Sequence, residues 1–217
     1  TTISATVTGP VRTSTVKTGG LPDDILINSS GVVNGNASGG VIIDSNHKLN
    51  NAGTIQIGSV NNVAGVDVQA GVTSGITHSG KIIVDEAYTP TDADNDGDLD
   101  GPFATGTGRF GIRTNGAMTG DILITSTGTI AVEGNNSAGI YLGGPLTGNF
   151  RHDGKTTIIG NNTIGVRLSD VSGNVRLAGD ITAQGQGAIA VQSTGNVGGA
   201  RVLQGKSAPT RYSFTPP

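Results

Sequence analysis

The densest chemistry in this sequence is the run TDADNDGDLDG, Thr91 to Gly101. Asp92, Asp94 and Asp96 followed by Gly97 match the first half of a calcium loop. Alternate carboxylates there face one cation, and glycine permits the sharp turn. A second register, Asp96, Asp98 and Asp100 followed by Gly101, fits equally well. The glutamate expected at loop position twelve is missing and Phe103 stands there in the first register, so the run is not an EF-hand. It resembles the shorter Asp-rich calcium loops of extracellular modules. The alternative is a solvated acidic loop, but five carboxylates within nine residues repel one another strongly unless a cation neutralises them. The expected cofactor is therefore Ca2+, held by Asp92, Asp94, Asp96, Asp98 and Asp100, with the role of ordering its own loop. Asp85 and Glu86, at the root of the loop, are either extra ligands or part of a solvated turn.

What positions this loop is a repeat. GTIAVEGNNSAGIYLGGPLTGNFRHD, from Gly128, is followed by GKTTIIGNNTIGVRLSDVSGNVRLA, and DILINSSG at Asp24 returns as DILITSTG at Asp121. Each copy holds short apolar patches separated by Gly and Asn, which is the pattern of strands and turns. The glycines that precede each first strand, Gly31, Gly53, Gly80, Gly128, Gly154, Gly179 and Gly205, are spaced 22, 27, 48, 26, 25 and 26 apart. Removing about 20 residues between Glu86 and Arg109 as an insertion brings the 48 towards the rest. The sequence thus predicts an all-β solenoid of about six coils over 31–207, with an insertion at about 86–109. An extended or capping segment is expected at 1–30 and a Pro-containing tail at 208–217.

Phasing assigns the faces, because strand residues alternate. In the first strand Ile55, Ile82, Ile130, Thr156 and Ile181 form one inward column, and Ile57, Val84, Val132, Ile158 and Ala183 the next. In the second strand the inward columns are Val41, Val66, Ile112, Ile140, Val166 and Ile189, then Ile43, Val68, Thr114, Leu142, Leu168 and Val191. A third strand is marked by Val72, Met118, Leu146, Val171 and Val197. Asn135, Asn136, Asn161 and Asn162 share one turn in adjacent coils, where asparagine tolerates left-handed backbone.

The outward column of the second strand is Asp67, Arg113, Tyr141, Arg167 and Ala190. Its phase pairs Asp67 with Arg113 and places Tyr141 between Arg113 and Arg167. That ladder is either a sugar-binding stripe or a surface ladder worth a fraction of a kcal/mol per contact. Asp85 and Glu133 hold equivalent positions but have the insertion between them, a weak basis for an acid/base pair. His47, His78 and His152 fall at unrelated phases with no metal-binding spacing. The sequons at Asn28, Asn36, Asn135 and Asn161 read as by-products of composition. Strings like GxGxxG are frequent because glycine is, and none joins a strand to a helix, so phosphate binding is not supported.

Composition sets outer limits. Glycine is 37 of 217 residues and aromatics 3%, so burial must come from small apolar residues stacked regularly. No run of 18 apolar residues predicts a membrane span. The net charge of −3 is local: removing the five loop aspartates from the sixteen acids leaves 11 against 13 bases, a balance of +2. No basic patch argues for nucleic acid. The absence of cysteine removes disulfides, thiolate zinc sites and cysteine nucleophiles.

The runs GTIAVEGNNSAGIYLGGPLTGN and SGNVRLAGDITAQGQGAIAV are similar to the N-terminal passenger region of bacterial autotransporters, by repeat grammar and small-residue usage from about Gly31 to Gly205. The resemblance implies a right-handed parallel β-helix exported across the outer membrane to the cell surface or medium. No C-terminal barrel accompanies it here, so the chain would be a passenger fragment or a processed product. The expected role is a non-enzymatic structural or adhesive solenoid that self-associates through its ends or binds a host-surface or polysaccharide ligand. The alternative is a polysaccharide-binding or polysaccharide-degrading enzyme on the same scaffold.

Overall fold

The computed structural model describes all residues except 96, 98, 99 and 211–217. Among the described residues every regular element is a strand. The chain winds through three parallel sheets, A, B and C. One coil shows the plan: Ile122–Ile124 lies in sheet A, Thr129–Glu133 in sheet B and Ala138–Leu142 in sheet C, and the next coil begins with Phe150–His152 back in sheet A. Sheets A and B have eight strands each and sheet C seven. The solenoid therefore has about eight turns where the glycine spacing predicts six.

The additional turns are at the ends. Within 1–30, where an extended or capping segment is expected, Thr2–Ile3, Thr6–Thr8 and Val11–Arg12 form a first coil that pairs in parallel with the second. At the other end Arg201–Leu203 and Ser207–Thr210 pair with the preceding coil, so the tail expected from 208 enters the last coil as far as Thr210.

Sheet B has the predicted register throughout: Ile55 pairs with Ile82, Ile82 with Ile130, Ile130 with Thr156 and Thr156 with Ile181, all buried. Sheet C follows prediction up to Val166, which then pairs with Val191 and not with Ile189. Gln192 thus takes the place expected for Ala190, and Ala190 turns inward at 3% exposure. The cause is a column of glycines. A Cβ on Gly40, Gly65, Gly111, Gly139 or Gly165 would stand 2.3 to 2.7 Å from a methyl of Ile55, Ile82, Ile130, Thr156 or Ile181 respectively. Sheets B and C approach so closely there that a side chain on sheet C has no room. In the last described strand of sheet C Ala190 continues this column, since among the described residues no further strand follows to crowd its Cβ.

The third predicted strand divides in two. Met118–Thr119 and Leu146–Thr147 form a two-stranded corner, continued by single bridges to Val171 and Val197. The longer ladder is sheet A, which starts a few residues later. Its inward columns carry Ile25, Leu49, Ile76, Ile122, Phe150 and Val175, then Ile3, Ile27, Asn51, His78, Ile124, His152 and Leu177. Each fully buried Ile, Leu or Val contributes roughly 2 kcal/mol of transfer free energy. The core is thus long and thin, one stack of aliphatic side chains along the axis.

No helix among the described residues is long and apolar enough to cross a membrane.

Candidate metal centre and outward ladder

The insertion leaves the solenoid after Lys81–Asp85 and returns at Arg109–Thr114. Its two ends are tied by an ion pair that the sequence does not advertise. Arg109 and Glu86 are 2.8 Å apart, with side chains only 2% and 4% exposed. Arg109 also donates through Nε to the carbonyl of Val60 and through Nη1 to that of Glu133. Burial pushes the Glu86 carboxyl up, but the N–H of Thr105, the Arg109 guanidinium, the Thr105 hydroxyl and the N–H of Gly106 outweigh it and hold the group below the ordinary glutamate range. Its oxygens are thereby committed, so Glu86 is neither a cation ligand nor part of a solvated turn.

At the tip, Asp92, Asp94 and Asp100 bring one carboxylate oxygen each to within 4.8 Å of one another. The two candidate registers therefore meet in space: their outer aspartates converge, while Asp96 and Asp98 lie outside the described residues. Gly97 has φ of 99° and donates its N–H to Asp92 Oδ2, which closes the turn. Asp100 Oδ2 accepts the N–H groups of Ala93 and Asp94. Among the described residues Asp92 Oδ1 is buried with no hydrogen-bond partner. A carboxylate oxygen in that state is costly. A divalent cation among these three carboxylates would supply what it lacks.

On sheet C the register places Asp67, Arg113, Tyr141 and Arg167 in one outward column, as predicted. Arg113 Nε donates to Asp67 Oδ1 at 2.8 Å. Tyr141 is not held between two arginines, however. Arg167 lies over its ring at 4.7 Å, whereas Arg113, drawn towards Asp67, lies over Phe110 at 5.0 Å. Phe110 meets Tyr141 edge-on at 5.5 Å. The charged groups of this face are thus engaged with one another and with aromatic faces.

Asp85 and Glu133 end neighbouring strands of sheet B. Desolvation first, then the charges of Asp85 and Glu86, raise the Glu133 carboxyl above its ordinary value. His78 and His152, scattered by sequence phase, share one inward column of sheet A with Ile124 between them. Both are fully buried, and desolvation lowers each to about 4. His78 bonds Asn51 and the carbonyl of Thr129, while His152 bonds the Thr156 hydroxyl. They are neutral core groups. His47 is elsewhere, 3.1 Å from the Ser45 hydroxyl.

The sequon asparagines serve turns. Asn135 Oδ1 accepts the N–H of Asn161, and Asn161 Oδ1 that of Gln186. Asn136 and Asn162 adopt φ of 50° and 54°. Asn28 and Asn36 accept from Ser30 and Ser38.

The chain matches no family model, and no curated protein or solved structure shows a significant match to it.

Proposed function

We propose that this chain is a secreted or cell-surface β-solenoid with a structural or adhesive, non-enzymatic role, in the manner of an autotransporter passenger, whose one insertion is ordered by Ca2+. The observation that carries the reading is the build of the insertion: the buried Arg109–Glu86 pair pins its root, and three aspartates converge at its tip. A small site of this kind, without a bidentate glutamate at the twelfth position, belongs to the weak extracellular class with Kd of about 10⁻⁴–10⁻³ M, filled where calcium is millimolar. The outward ladder supports a scaffold over an enzyme, because Arg113 is tied to Asp67 and Arg167 to Tyr141. Among the described residues the outermost strands of each sheet have a neighbour on one side only, which supports end-to-end association.

The test is to coat beads with the purified protein and measure their retention on polysaccharide-coated and cell-coated surfaces, with and without calcium. Reducing and unsaturated ends are assayed in the same wells. The scaffold reading expects retention in calcium with no accumulation of new ends. Steady release of ends would replace it with a polysaccharide-degrading enzyme.

A further inference from the structure

A further cleft lies on neither the ladder nor the insertion. It is a groove of about 720 Å³ along the outside of sheet A, running from Asp24 on the second coil to Arg151 on the sixth. Five coils at about 4.8 Å each make it roughly 20 Å long. One wall is the corner that carries Thr73, Thr119 and Thr147, and the other is the outward row of sheet A with Asn50, Thr77 and Leu123.

Three observations point to an occupant. The hydroxyls of Thr73, Thr77, Thr119 and Thr147, the amide of Asn50 and the ammonium of Lys48 make no hydrogen bond among the described residues. The backbone beneath them is already paired between coils, so the groove offers side-chain donors and acceptors but no free β-edge. A second observation is charge. The walls hold Asp24 and Asp121 against Lys48 and Arg151, two charges of each sign, and Asp153 beside the groove is shared by Arg151 and Arg176. Such a balanced wall gives a polyanion no net attraction, and a neutral chain needs none. Third is Gly75. Gly120 and Gly148 have positive φ, and a Cβ on either would strike backbone within 1.7 and 2.2 Å. A Cβ on Gly75 would meet nothing nearer than 3.6 Å, and its φ is not in the left-handed region. Backbone geometry does not require glycine at 75, and a side chain there would fill the groove floor.

We infer that this groove binds a neutral polysaccharide laid along the solenoid axis. One coil step is close to the length of one sugar ring in an extended chain, so hydroxyl and amide groups recur in step with the ligand. Threonine methyls, Leu123 and the stem of Lys48 supply the contact for sugar C–H faces. This goes beyond the scaffold reading and does not depend on the acidic loop.

The test is calorimetric titration of the full chain with neutral hexasaccharides of glucan, mannan, xylan, galactan and N-acetylglucosamine, and with a galacturonate hexasaccharide as the acidic comparison. At least one neutral hexasaccharide should bind with Kd below about 1 mM and more tightly than its disaccharide, with the acidic one at least tenfold weaker. Gly75→Leu should weaken binding at least tenfold. The surface pair Thr77→Ala and Thr119→Ala, which leaves the core untouched, should weaken it several-fold. Failure of every neutral hexasaccharide, equal binding of the acidic one, or full affinity in both variants would overturn the proposal. New reducing ends with groove-dependent binding would unseat the scaffold reading alone. Loss of binding would leave that reading standing.

Discussion

Gly139→Ala adds one methyl group to the glycine column, and its cost follows from two distances. The new Cβ would be 2.3 Å from Thr156 Cγ2 and 2.6 Å from the carbonyl oxygen of Gly165, against a contact optimum of about 3.5–4.0 Å. Thr156 is fully buried and held by His152, and the Gly165 carbonyl is backbone in the neighbouring coil, so neither neighbour yields easily. Overpacking of this kind costs about 1–3 kcal/mol, and two rigid obstacles place it near the upper end. For a chain of 217 residues that lowers the melting temperature by about 6–12 °C, followed by far-UV circular dichroism. Gly75→Ala is the matched control. With no neighbour inside 3.6 Å it should melt at or slightly above the parent temperature, by up to about 1 kcal/mol. Equal melting temperatures for Gly139→Ala and the parent would refute the close approach of sheets B and C.

Acid should loosen the solenoid through its two buried histidines. Each is lowered from 6.5 to about 4, so the unfolded chain binds the proton first as pH falls. This stability is fully present above pH 6.5, and about 2 kcal/mol per histidine is lost by pH 5 and about 3 by pH 4. Glu133, raised by burial, acts with the opposite sign, while Glu86 and Asp153, held low, add to the loss only once pH falls into the ordinary carboxylate range. Urea midpoints that are equal at pH 7 and pH 5 would count against buried neutral histidines. Arg109→Leu leaves Glu86 buried without its partner and should cost about 3–5 kcal/mol, with faster proteolysis of the insertion. Adding Glu86→Gln should recover part of that loss, and no recovery would mean the pair is not coupled. Arg113→Ala, on the half-exposed ladder, should shift stability by no more than about 1 kcal/mol by urea titration.

How much of this was legible in the sequence depended on how regular each column was. Sheet B and most of sheet C could be phased because Ile55, Ile82 and Ile130 repeat one residue type at one phase, and the Asp67–Arg113 pair followed from that register. Sheet A was obscured because Asn51, His78 and His152 interrupt its aliphatic inward column, so an inward position looks polar until its neighbours are known. The first coil was hidden because Ala5 stands where the later coils carry their marker glycine, although Thr6 pairs with Val32 at the usual spacing of 26. The slip at Ile189 came from matching residue types when the conserved geometry was smallness, Gly165 followed by Ala190. Arg109 resembles a surface residue in isolation. The available signal was its place directly after the insertion, opposite a glutamate directly before it.

The most direct measurement of the calcium-ordered scaffold is limited proteolysis of the parent chain in millimolar calcium and in chelator, with far-UV circular dichroism on the same samples. The account predicts that chelator accelerates cleavage between residues 86 and 109 at least tenfold, that calcium reverses the effect, and that the β-sheet signal is unchanged. Asp92→Asn should make cleavage fast in both conditions. Cleavage of the parent insertion at the same rate with and without calcium would contradict it.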